Sequence, residues 1–125
     1  MENKYYVTAR IGSGERERLV DLASRQDIPY GNILRQLVRF FLRDEIGWVE
    51  LFEATNDIAL SERTSVTIRT RLPEDAYVAF ADFAEKMGST MSVILRRLVL
   101  LYTANKIDWR MIWAECKGAD NGKQN

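Results

Sequence analysis

From Thr64 to Leu72 apolar and polar side chains alternate: Val66, Ile68, Thr70 and Leu72 fall on one side of an extended backbone, Ser65, Thr67, Arg69 and Arg71 on the other. That period of two, rich in β-branched residues, predicts a half-buried strand. Pro73 stops it. Its fixed φ and missing donor suit the first turn of a helix, where Glu74 and Asp75 meet the positive end of the dipole. The period then lengthens: Ala76, Phe80, Phe83, Ala84 and Met87 recur as one apolar helical stripe, and Gly88 stands in the usual place of a C-terminal cap. Ser89 or Thr90 is placed to N-cap a second helix whose apolar face is Ile94, Leu95, Leu98, Val99 and Tyr102.

The same order of signals occurs earlier. A strand is predicted from Tyr5 to Ile11 with Val7, Ala9 and Ile11 inward, then a Gly12-Ser13-Gly14 turn and a helix from near Gly14 to Gln26. A break at Asp27-Ile28-Pro29 precedes a helix from near Tyr30 to Glu45, with the face Ile33, Leu34, Leu37, Val38 and Phe41. Sliding the chain over itself by 61 positions, without a gap, lays Trp48 on Trp109, Arg10 on Arg71, Asp21 on Asp82 and Ile33-Leu34-Arg35 on Ile94-Leu95-Arg96. Two copies of one unit fill the chain: repeat one at residues 4–55, a linker at 56–63, repeat two at 64–117 and a disordered tail at 118–125. After each second helix comes a short amphipathic piece, Trp48 to Phe52 and Trp109 to Trp113, read as a third helix whose tryptophan covers an end of the core.

Units this short bury too little surface to be stable alone, since domains below roughly 60 residues are marginal. The two copies should therefore share one core, pairing their strands antiparallel and laying the helices on the ribbon's apolar face. The expected fold is mainly α with one two-stranded antiparallel β-ribbon, an intramolecular pseudo-dimer forming a single pseudo-twofold domain over residues 1–117.

With 125 residues, 46% hydrophobic and 29% charged, the composition is that of a soluble globular domain, expected to be cytoplasmic because no leader or membrane-spanning run is seen. There is no histidine, and the single cysteine, Cys116, has no partner that would activate it. Glu15 and Glu17 fall on a helix face read as solvated, and no glycine-rich phosphate loop follows a strand, so no enzyme activity, metal or cofactor is expected. Eighteen basic residues balance eighteen acidic ones, which argues against a non-specific polyanion binder. The small basic surplus lies in the second copy, so an anionic ligand should be held by a narrow feature and more firmly there.

Thr67 to Glu74, followed by Gly88 to Arg96, resembles the strand, turn and second helix of the ribbon-helix-helix DNA-binding proteins of the Arc and MetJ type. Doubling within one chain is similar to the tandem form of the TraY type. The resemblance implies a ribbon that enters the major groove of double-stranded DNA, with Tyr6, Thr8 and Arg10 of copy one and Thr67, Arg69 and Arg71 of copy two contacting bases. None of the six is an acid. Phosphates would be held at the second-helix starts, by Thr90, Met91 and Ser92 and by Tyr30 and Gly31, with Lys4 as a further backbone contact. Copy one departs from the pattern, because Pro29 replaces a hydroxyl N-cap. Arg35 and Arg96 are weighed as phosphate contacts, with a plain polar helix face as the alternative.

Two different half-surfaces imply a non-palindromic or direct-repeat target, bound by one chain or several side by side. A sequence-specific transcriptional regulator, a repressor of a compact plasmid or phage genome, is the first reading. A relaxosome accessory protein at a conjugative transfer origin is the second. An antitoxin with a protein partner belongs to another class, and the few residues after Gly118 are short for a toxin-wrapping tail.

Overall fold

Alternation from Tyr6 to Ile11 and from Val66 to Arg71 produces two strands, β1 and β2, that pair antiparallel into the one sheet of the computed structural model, which describes residues 5–59 and 63–104. Around them lie five helices among the described residues: α1 (Ser13–Gln26), α2 (Tyr30–Leu42), α3 (Trp48–Ala59), α4 (Glu74–Lys86) and α5 (Met91–Thr103). The chain is thus mainly helical with a two-stranded antiparallel sheet. Lys4, Trp109, the second amphipathic piece and the 118–125 tail lie outside the described residues.

The ribbon register is Tyr6↔Arg71, Val7↔Thr70, Thr8↔Arg69, Ala9↔Ile68, Arg10↔Thr67 and Ile11↔Val66. Thr8 and Arg69 are 61 positions apart, so the central pair joins repeat equivalents, and the flanking pairs exchange theirs. Val7, Ala9, Ile11, Ile68 and Thr70 are buried on one face, and Thr8, Arg10, Thr67, Arg69 and Arg71 are exposed on the other. Packing crosses between the halves: α5 lies on β1, α2 on β2, α1 against α5 and α4 against α2. Leu19, Ile33, Leu34, Leu37, Ile68, Phe80, Ile94, Leu95 and Leu98 form a shared core with no solvent exposure. Elements from both halves line this core, and burying its apolar surface stabilises the fold by about 25 cal/mol per Å².

Three helix ends share a device. At Asp27, Asp44 and Gly88 the backbone turns left-handed, with φ of 57°, 67° and 68°. In each case the amide of that residue and the amide after it reach back to the last turn: Asp27 N to Ser24 O and Ile28 N to Ala23 O, Asp44 N to Phe41 O and Glu45 N to Phe40 O, Gly88 N to Glu85 O and Ser89 N to Ala84 O. These are Schellman closures. The second of them ends α2 at Leu42, three residues before the Glu45 expected from sequence. Other boundaries also move. Helix α1 already starts at Ser13, with Gly12 as N-cap, and Pro73 is the N-cap of α4 rather than its first residue. Met87 is 40% exposed and leaves the α4 stripe, because it is the cap residue.

Helix α3 runs to Ala59, through the first four residues of the stretch read as linker. Leu51 is fully buried, and the buried Thr55 hydroxyl donates to the Leu51 carbonyl at 2.7 Å. Trp48 is half-buried, with its ring 5.7 Å from Phe83 and 4.5 Å from Phe52. No helix among the described residues is long and apolar enough to cross a membrane.

Candidate nucleic-acid interface

Because side chains alternate along a strand, the register sets Tyr6, Thr8 and Arg10 beside Thr67, Arg69 and Arg71 on one face. All six expected base-contacting residues share that face, Tyr6 half-buried and the others exposed. Thr8 faces Arg69 at its centre, with Tyr6 opposite Arg71 and Arg10 opposite Thr67. The Arg69 guanidinium lies 4.5 Å from the centroid of the Tyr6 ring, a cation–π contact that narrows its orientations while the fork stays exposed. No acidic side chain belongs to either strand.

Both second helices begin beside this ribbon, each fastened to the strand of the other repeat. The Thr70 hydroxyl on β2 donates to the Gly31 carbonyl of α2 at 2.7 Å, and the Ser92 hydroxyl of α5 donates to the Thr8 carbonyl of β1. The donor sits on the strand in one case and on the helix in the other. Ser92 therefore spends its hydroxyl hydrogen on position, which leaves its amide as the group available to an anion. Thr90 caps α5, its Oγ1 accepting from Val93 N at 3.1 Å while its own hydrogen remains for a further acceptor. Met91 packs partly into the core, and the amides of Met91 and Ser92 open the helix, where none has an acceptor one turn back.

At α2 the cap is Pro29, with no side-chain bond, and the Pro29 carbonyl accepts from Asn32 and Ile33 at 3.0 and 3.4 Å. Tyr30 is half-buried against the core, and the Arg16 guanidinium stands 5.9 Å from its ring centroid. Arg16 thus puts a cation beside the helix start that lacks a hydroxyl cap. Only its proximity to Tyr30 in space marks it, so the sequence pattern passed over it. A Cβ added at Gly31 would meet Thr70 Oγ1 at 3.9 Å, an ordinary contact, so space alone does not demand glycine there.

Glu15 corrects the sequence reading. Expected on a solvated face, it is fully buried and holds Arg96 by two bonds, Nη2 to Oε2 at 2.7 Å and Nε to Oε1 at 3.3 Å. Arg35, its repeat counterpart on α2, instead donates Nε to the Arg71 carbonyl at 3.1 Å. Arg97 reaches α3, donating to Thr55 Oγ1 at 3.1 Å and Asn56 Oδ1 at 2.9 Å over the Phe52 ring. Its burial, and then the nearby Arg96 charge, lower its pKa from the ordinary arginine value. Burial raises that of the Tyr102 phenol.

The chain was compared with family models, curated proteins and solved structures. It matches none of them. The chemistry of the ribbon face therefore carries the functional reading: hydroxyls and guanidinium forks on a narrow two-stranded surface, with a helix start on either side.

Proposed function

We propose that this protein binds double-stranded DNA in a sequence-specific way by laying the β1–β2 ribbon in the major groove, as a single-chain, pseudo-dimeric ribbon-helix-helix protein. The observation that carries the reading is the acid-free outer face, on which Thr8, Arg10, Thr67, Arg69 and Arg71 are exposed together. A two-stranded ribbon fits a groove about 12 Å wide, where each base pair presents its own donors and acceptors. Arginine forks suit guanine O6 and N7, and threonine offers a hydroxyl to base edges and a methyl to thymine. Phosphates are taken by the starts of α2 and α5. The central Thr8↔Arg69 pair supports a pseudo-dyad through the ribbon, since it joins repeat equivalents.

The biological role that fits is transcriptional regulation, most simply repression by occupancy of the site. A place in a relaxosome requires the same surface and differs only in the DNA bound. Because the halves carry different side chains, the target is a non-palindromic or direct-repeat site. Selection of bound duplexes from a random pool tests this: an asymmetric consensus is expected. Recovery of no consensus, or of a perfect palindrome contacted equally on both halves, refutes it.

A further inference from the structure

The repeat relation exposes a difference between the two ends of the ribbon. Arg96 lines a recess with Thr8, Arg10, Thr67 and Ser92, at the edge of the reading face. Its charge is already answered there, since a fully buried carboxylate grips it at 2.7 and 3.3 Å. The repeat equivalent of Glu15 is Ala76, which has no charge to offer. At the opposite end Arg35 lines a recess with Tyr5, Arg39 and Arg71, and the exposed Glu74 is the acid among its lining residues. There Arg35 is bonded through Nε to an uncharged backbone carbonyl, that of Arg71, at 3.1 Å. A carbonyl orients a guanidinium without neutralising it. Arg71, exposed on the strand, lines the same recess, so two cationic residues from different elements meet at one corner. Arg39 adds to that corner, where its repeat equivalent Leu100 is buried in apolar packing.

We propose that Arg35 and Arg71 form a phosphodiester-binding site at this end of the ribbon, and that the buried Glu15 carboxylate masks the equivalent site around Arg96. The two ends then grip the DNA backbone unequally, and the protein loads in one orientation. The inference rests on the DNA-binding reading above, and its test separates the two.

Binding of the full chain to a mixed-sequence duplex is followed by fluorescence anisotropy over a range of salt concentrations. Each phosphate contact contributes about 0.9 to the slope of log K against log salt. Arg35→Gln should lower the slope by about that amount, which is roughly eightfold weaker binding at 0.1 M salt. Arg35→Lys, which keeps the charge, should stay near the wild-type slope. Glu15→Gln should steepen the slope, and circular dichroism establishes that it is folded; should it not fold, Ala76→Glu, which offers Arg35 a carboxylate, should flatten the slope instead. If wild type binds with a salt-dependent affinity and Arg35→Gln leaves the slope unchanged, the phosphate site is refuted while DNA binding stands. If folded Glu15→Gln shows the wild-type slope, the masking is refuted. If wild type binds no duplex at any salt concentration, both readings fall.

Discussion

Arg69→Lys separates reading from mere attraction. Arg69 faces Thr8 at the centre of the ribbon, is exposed, and lies 4.5 Å from the Tyr6 ring centroid. Lysine keeps the positive charge but replaces a planar fork by a point charge, so it cannot bond to guanine O6 and N7 together. A bidentate contact of that kind discriminates by about 1–3 kcal/mol, which converts to a fall in the ratio of specific to random-sequence affinity of roughly 5- to 150-fold. Because the side chain is exposed, stability should change by no more than about 0.5 kcal/mol. The salt slope should be that of wild type, because no charge is lost. Competition titrations with the selected site and with random duplex measure the ratio, and a salt series measures the slope. An unchanged ratio refutes base readout by Arg69. Equal losses on both DNAs refute it too, since they identify a backbone contact.

Three further predictions concern the scaffold. Leu51→Ala should cost about 2–5 kcal/mol in urea denaturation, since Leu51 is fully buried, whereas Val49→Ala, at a position 63% exposed, should stay within about 0.5 kcal/mol; equal effects would mean that α3 is not part of the cooperative core. Glu15→Ala should cost about 3 kcal/mol, the low end for a broken buried pair, because Arg96 at 18% side-chain exposure can recover some hydration. A double-mutant cycle with Arg96→Ala should return a coupling of at least about 1 kcal/mol, and a coupling near zero would reduce the pair to a surface contact. Asp27→Gly should raise stability by roughly 1 kcal/mol, because Asp27 holds φ at 57° where its repeat equivalent is Gly88, and because a carboxylate opposes the negative end of α1. A lowered denaturation midpoint would show that the aspartate side chain makes up for its backbone.

Local periodicity made most of the fold legible. Alternation located both strands and their inward faces, and the stripes of α2 and α5 named residues that are indeed buried, from Ile33 to Phe41 and from Ile94 to Tyr102. Repetition added the pairing, since two equivalent strands without partners leave each other as the available neighbour. The readings that failed lie where the deciding partner is distant or the backbone leaves regular φ. The burial of Glu15 leaves no local pattern, because its partner Arg96 is 81 positions away. The end of α2 carries no glycine signal, because an aspartate takes the left-handed position at Asp44. Asn56 looked like the start of a linker, although its side chain accepts from Arg97 across 41 positions. At the site, strand alternation was enough to collect the six outward side chains, but not to find Arg16 beside Tyr30 or to assign Arg35 to the Arg71 carbonyl.

The two faces of the ribbon answer to different constraints, and that division explains how one chain can hold two dissimilar halves. Inward residues such as Val7, Ile11 and Ile68 are almost wholly buried, and enlarging or truncating them would be felt throughout a shared core. Outward residues carry little of the stability, so Tyr6 and Thr67, or Thr8 and Arg69, can differ between repeat equivalents without disturbing the fold. In two identical chains any change on the outer face appears twice, once on each strand. A single chain that carries both strands is free of that restriction. Glu15 stands against Ala76, Arg39 against Leu100 and Pro29 against Thr90, each pair 61 positions apart. These differences fall beside the ribbon or at the helix starts next to it, while the strand register itself stays regular from Tyr6 to Arg71. A buried face held by packing and a perimeter free to vary are what the proposed oriented, two-part binding surface requires.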